Sequence, residues 1–132
     1  MSGKFLGVGW EFPVRLDKNE KIKIAHYEES IRKAIRMILG TAPRERVMRP
    51  DFGCGIHNLV FAVNSAGTAT RVESEVRDAL VLWEPRIDLE KVTASPDPNR
   101  PYVLLISIDY RVRVTNNQFN MVYPFYLEYQ GL

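Results

Sequence analysis

A single cysteine, Cys54, leaves this 132-residue chain without an intramolecular disulfide. The fold therefore rests on no oxidised framework, and the pattern is that of a cytosolic protein. Set between Gly53 and Gly55, the thiol reads as a small buried filler rather than a nucleophile. Histidine is almost as scarce. Neither His26 nor His57 stands in a Cys/His/Asp cluster at ligand spacing, so no metal or cofactor is expected. Gly7-Val8-Gly9 lacks the third glycine and the strand–helix setting of a phosphate loop, and no serine sits in a nucleophile elbow. No apolar run approaches the ~20 residues of a membrane span, and the first residues have no apolar signal core. Charge of neither sign dominates, at +2 overall. The densest basic run, Arg44 to Arg49, is broken by Glu45 and reads as a solvated loop or protein contact, which leaves nucleic acid and membrane without a platform.

What is present is the material of one soluble domain over residues 1–132, with 45% hydrophobic and 26% charged residues. The central stretch is Val72–Ile87. Val72, Val76, Ala79, Leu80 and Trp83 recur at the period of one helix face. Thr70 and Glu73 stand at capping-box spacing, and Pro85 ends the helix by lacking an amide hydrogen and forcing Glu84 out of helical geometry. If the corner is extended, Glu84 and Arg86 leave it on the same side. Arg86 suits the negative end of a helix and Glu84 does not, a local violation of the kind found at functional sites. The plain alternative is an exposed ion pair contributing roughly 0–1 kcal/mol.

Before this helix, residues 1–12 read as an extended arm carrying Trp10 and Phe12. Pro13–Asp17 and Lys21–Ala25 read as a short charged hairpin about Lys18-Asn19-Glu20. A helix follows from Tyr27 to Leu39, with Ile31, Ala34, Ile35, Ile38 and Leu39 inward and Gly40 as its stop. Thr41–Val63 is irregular, with one helical turn near Ile56–Leu59, and Asn64–Thr68 is a turn. After the corner, Ile87–Ala94 reads as a strand and Ser95–Pro101 as a turn cluster. Tyr102–Val114 alternates, with Tyr102, Leu104, Ile106, Ile108, Tyr110, Val112 and Val114 on one face. The other face ends in Asp109, Arg111 and Arg113, so that the far end is expected to project from the core. Phe119–Tyr129 returns with Phe119, Met121, Tyr123, Phe125, Leu127 and Tyr129 aligned. Such a hairpin leaves an edge to be covered or used, and Pro124 suits an edge strand. The expected fold is α+β: a small antiparallel sheet with a long C-terminal hairpin, packed against two main helices.

With these stretches laid out, the chain resembles the baseplate wedge, or sheath-initiator, proteins of contractile tails, found in phage tails, R-type pyocins, extracellular injection particles and type VI secretion systems. The resemblance runs through Gly7–Pro13 (GVGWEFP), Ser30–Leu39 (SIRKAIRMIL), Thr41–Gly55 (TAPRERVMRPDFGCG), Trp83–Ile87 (WEPRI) and Ile106–Val112 (ISIDYRV). The chain departs from the family at Ala42-Pro43-Arg44, where a Pro-Gly step is usual. The resemblance implies a structural protein without catalytic residues, assembled in the cytoplasm and then held in a six-fold baseplate. Its implied partners are wedge scaffold proteins, the sheath protein, and tube and spike hub proteins. It places baseplate contacts on Glu84, Pro85 and Arg86. It also implies templating of the sheath; joined to the free edge of the hairpin, this points to strand addition at Tyr102–Val114 or Phe119–Tyr129, with Tyr102, Asp109, Arg111, Arg113, Phe119 and Tyr123 as contact residues. The alternative is that both strands are internal. Some members carry a lysozyme-like label. A peptidoglycan hydrolase needs a carboxyl of raised pKa, whereas Arg86 beside Glu84 favours the ionised form.

Overall fold

A computed structural model describes residues 18–42 and 53–128. Helix α1 spans Lys18–Gly40 and helix α2 spans Ala66–Trp83, with a short 3-10 helix at Gly55–Leu59 between them. Strands β1 (Ile87–Asp97), β2 (Arg100–Val112) and β3 (Gln118–Tyr126) form a three-stranded antiparallel meander in the order β1-β2-β3. This is the expected α+β arrangement of two helices and a small sheet with a long C-terminal hairpin.

The core lies between one face of the sheet and the helices. Ile31, Ile35, Ile38 and Leu39 of α1 meet Val72, Val76, Ala79 and Leu80 of α2, and both groups pack on Ile106, Ile108, Tyr110 and Met121. The buried alternation of β2 continues through Val112 and Val114, which corrects the expectation that its far end projects from the core. The charged residues there belong to the opposite face of a one-sided sheet.

Several boundaries differ from the sequence reading. Lys18–Ala25 is the start of α1, not half of a hairpin. The Lys-Ile-Lys-Ile alternation there competes with a helical spacing, since Ile24, Tyr27 and Ile31 turn toward the core while Ile22 stays exposed. Helix α2 begins at Ala66, capped by the Ser65 hydroxyl, which accepts from Thr68 N–H. The capping box proposed for Thr70 and Glu73 does not form. Thr70 bonds back to Ala66 O inside the helix, and Glu73 reaches the sheet. The stretch read as a Ser95–Pro101 turn is mostly strand, and the reversal narrows to Pro98-Asn99, where the Asp97 carboxylate accepts from Asn99 N–H. Ile56 and Leu59 are buried as expected of a helical turn there, whereas Phe61 is exposed.

Gly53 is one place where only glycine fits. Its φ is +129°, and a Cβ would stand 2.4 Å from Thr41 O, the acceptor of the neighbouring Cys54 N–H. The arm at 1–12, the first half of the proposed hairpin, the Arg44–Arg49 run and Tyr129 lie outside the described residues.

Candidate functional site

Two surfaces collect the residues singled out in the sequence: the corner after α2 and the border of the sheet at β3.

At the corner, Glu84 N–H still closes the helix on Leu80 O, and Glu84 then leaves helical geometry at φ −129°, ψ 77°. Its side chain is 2% exposed. The carboxylate accepts Arg86 Nε at 2.7 Å and an Arg86 Nη at 2.7 Å, a parallel bidentate pair. Arg86 backbone N–H adds a longer bond at 3.3 Å. The guanidinium lies 5.9 Å from the centroid of the Tyr27 ring. The hydrogen bond to Glu84 raises the Arg86 pKa, against the opposing effect of burial. The two side chains therefore stand side by side as expected. The carboxylate is buried, however, and the pair is not the exposed one of the plain alternative.

Pro85 forms part of the rim of a cleft of about 220 Å³, lined by Arg77, Val81, Glu84, Leu89 and Arg113 among others. Val81 and the adjacent Leu82 are about two-thirds exposed, at 67% and 65%. Neither stands out by helix periodicity, which selects apolar residues that turn inward. Asp88 was missed as well. It pairs with Arg111 and, at 2.8 Å, with Arg113, and the Arg111 hydrogen bond foremost holds its pKa below the usual carboxylate value. Arg113 N–H also donates to Arg86 O at 3.0 Å, so the strand end and the corner are stitched together.

The sheet border follows from parity. Ala94 N–H donates to the Glu73 carboxylate of α2 at 2.8 Å, so Ala94 turns its backbone away from β2. Ala94 pairs with Ile106, and Ile106 with Tyr123. Backbone groups alternate sides along a strand, so Ile106 and Tyr123 bond to each other. Asn120, Val122, Pro124 and Tyr126 then turn their backbone groups outward from β3. Two further bonds agree: Leu127 N–H donates inward to Tyr102 O, and Glu128 N–H donates outward to Val60 O. Pro124 thus sits where its missing N–H costs the sheet nothing. The border at β1 is different. Ala94 N–H is taken by Glu73, and Pro96, two residues on and facing the same way, has no N–H.

This placement separates the residues of the expected sheath surface. Strand β2 is central and paired on both sides, so it offers no edge, which corrects that half of the expectation. Asp109 and Arg111 lie on its outer face, where Asp109 accepts from Asn120 at 2.6 Å. Arg113 follows just beyond the strand, beside Asp88. Tyr102 is 38% exposed beside Tyr126, with ring centroids 6.4 Å apart. Phe119 stacks on Tyr110 at 5.6 Å, and Tyr123 is half-buried on the inner face. The outward-bonding positions of β3 are the neighbours of these two residues. Val122 and Tyr126, exposed by 52% and 51%, carry no signal in the sequence that marks them as contact residues.

Known proteins carry the same architecture. The model of the family described as baseplate wedge protein gp25 matches residues 25–117. The baseplate wedge protein gp25 of Enterobacteria phage T4 is 28% identical over 99 residues, which is 75% of this chain and 74% of the phage protein. A crystal structure of a Geobacter sulfurreducens protein, provisionally named a tail lysozyme, is 59% identical, with a TM-score of 0.73, over 80% of this chain and 95% of that one. A chain in the six-fold-symmetrised baseplate of the anti-feeding prophage shares the fold at 19% identity and a TM-score of 0.53, over 77% of this chain and 70% of that one. No described helix is long and apolar enough to cross a membrane. With the family model spanning most of the two-helix, three-strand unit, this chain belongs to the baseplate wedge protein family of contractile tails.

Proposed function

We propose that this chain is a structural baseplate subunit that docks on the wedge scaffold through the Glu84–Arg86 corner and offers the β3 edge to the first ring of sheath subunits. The observation that carries the reading is the outward row of β3. Asn120, Val122 and Tyr126 present N–H and C=O groups, and Pro124 presents its C=O, along a border that no other strand covers among the described residues. An extended segment added there gains main-chain hydrogen bonds, and the exposed Val122 and Tyr126 side chains supply neighbours that select its sequence.

At the corner the roles divide. Glu84 orients Arg86, and the partly exposed guanidinium, Pro85, Val81 and Leu82 meet the scaffold. The particle is six-fold in this reading, and the subunit assembles in the cytoplasm before entering it.

Val122→Pro tests the edge. Val122 N–H points outward, so the substitution removes no bond within the sheet and the subunit stays folded. Electron microscopy of particles from a strain carrying it should show unchanged baseplates with a smaller share of sheathed tubes, since one further bond is lost. An unreduced share of sheathed particles would end the edge reading. Val81→Asp tests the corner without unpairing Glu84, and should give folded protein that fails to enter baseplates.

The name of the Geobacter relative raises a hydrolase as the second reading. Glu84, its first candidate acid, is buried at 2% exposure and has both carboxylate oxygens engaged by Arg86, which leaves neither oxygen turned toward a glycosidic bond. Release of muropeptides by the purified chain, abolished by Glu84→Gln, would establish hydrolysis. We expect none above background.

A further inference from the structure

We propose that Pro124 bars the β3 edge to a second copy of this chain while leaving it open to one strand of a different protein. The inference rests on the reading of β3 as an edge for strand addition and names what keeps that edge vacant before assembly.

An exposed edge flanked by apolar side chains is a template for self-pairing, and among the described residues β3 has both features, as a border strand with Val122 and Tyr126 each about half exposed on its outer face. The other border of the sheet is closed at its middle by the Glu73 carboxylate on Ala94 N–H and by Pro96. With that stretch of β1 closed, β3 against β3 is the symmetric route to self-association through the sheet, which for two identical chains means antiparallel pairing about a two-fold axis.

In every such register that includes Pro124, each copy brings its own proline to the shared ladder. Two donors are missing, one from each chain, and two carbonyls opposite them go unpaired. A strand from another protein meets Pro124 only once and loses one bond. Symmetry thus doubles the penalty for the wrong partner. At roughly tenfold per unmade bond, self-pairing is weakened roughly hundredfold and addition of a foreign strand roughly tenfold. The fitting occupant is an extended segment of another chain, with apolar side chains at alternate positions to lie beside Val122 and Tyr126.

The test uses the isolated full-length chain in sedimentation equilibrium over a wide concentration range, with circular dichroism to confirm folding. Wild-type protein should remain monomeric. Pro124→Val, which restores the outward N–H, should self-associate roughly a hundredfold more tightly, with new hydrogen-exchange protection at the Asn120 and Val122 amides. The double variant Val122→Pro/Pro124→Val moves the gap by two residues and should return to wild-type behaviour. Pro124→Ala repeats the test with a minimal side chain. Folded Pro124→Val that associates no more than wild type would overturn the proposal, as would a double variant as associated as Pro124→Val. Loss of the fold in both Pro124 variants would overturn it too, since an outward proline contributes no ladder bond. None of these outcomes depends on sheath, whereas an unreduced share of sheathed particles carrying Val122→Pro would refute the edge reading itself.

Discussion

The carboxylate of Glu84 receives Nε–H and Nη–H of Arg86 at 2.7 Å each, yet the two residues are unequally buried: the Glu84 side chain is 2% exposed and that of Arg86 32%. The asymmetry makes the two truncations different experiments. Arg86→Ala strands a buried carboxylate and should lower unfolding stability by about 3–5 kcal/mol. Glu84→Ala frees a guanidinium that water can reach and should cost about 1–2 kcal/mol. Urea denaturation of the two variants and of the double variant checks this. The double should be less destabilised than Arg86→Ala alone, because the stranded charge is gone.

Glu73 should guard a strand amide. Replacing it with Ala removes the acceptor of Ala94 N–H and should cost about 1 kcal/mol. Exchange of the Ala94 amide with deuterium, read by NMR, should accelerate well beyond what the global loss of stability accounts for. An unchanged rate relative to global unfolding would mean that water or another group replaces the carboxylate at no cost.

Cys54 should be chemically silent in the folded protein. Its thiol is fully buried, donates to Glu75 O at 3.6 Å, and is pushed by burial up to a pKa of about 11. Alkylation by iodoacetamide at pH 8 should be very slow in buffer and rapid in denaturant, because the thiolate is the reactive form. Mass spectrometry of both samples reads the difference.

Asp88 should make stability fall on acidification. Its pKa is lowered in the folded state by Arg111 and Arg113, so the native state binds fewer protons than the unfolded chain in that range. The stabilisation is complete above the unfolded Asp value, about 3.9, and is lost as pH falls through the depressed folded value. Asp88→Asn should flatten the acid limb of a plot of midpoint against pH. The two profiles should run a constant gap apart above about pH 4, with the wild type the more stable, and converge as pH falls through the depressed folded value.

Much of the architecture was legible because it repeats. The four-residue and three-residue steps of Val72, Val76, Ala79 and Leu80 and the two-residue steps of Leu104 to Val114 recur often enough to outvote local noise. The reading failed where a short window supports two periods. Lys21–Ala25 alternates like a strand, and only its continuity with Tyr27 and Ile31 makes it helix. At the site, Glu84 beside Arg86 followed from Pro85 alone. The burial of Glu84 did not, because it depends on what packs over the corner from elsewhere in the chain; Tyr27, which lies against Arg86, arrives from a helix more than fifty residues earlier. The partners of Arg111 and Arg113 were hidden for the same reason. Asp88 meets them only through the β1–β2 register, in which it stands opposite Arg111. The outward set of β3 was within reach of parity. What fixed its sign was one hydrogen bond, from Ala94 to Glu73, on the far border of the sheet.

The bond from Arg113 N–H to Arg86 O joins the corner to the end of β2, and β2 carries β3 along nine paired positions from Val103 to Arg111. A tensile load entering at the sheet border and leaving at the corner therefore passes lengthwise through that ladder. Loaded along the strands, the rungs resist together in shear. Loaded across them, they would open one after another like a zip. The subunit is a short tie-rod whose strong axis runs from its edge strand to its corner. A pull applied to the isolated chain between residues 122 and 86 should meet higher rupture forces than one applied between residues 122 and 93, which peels the sheet from its side.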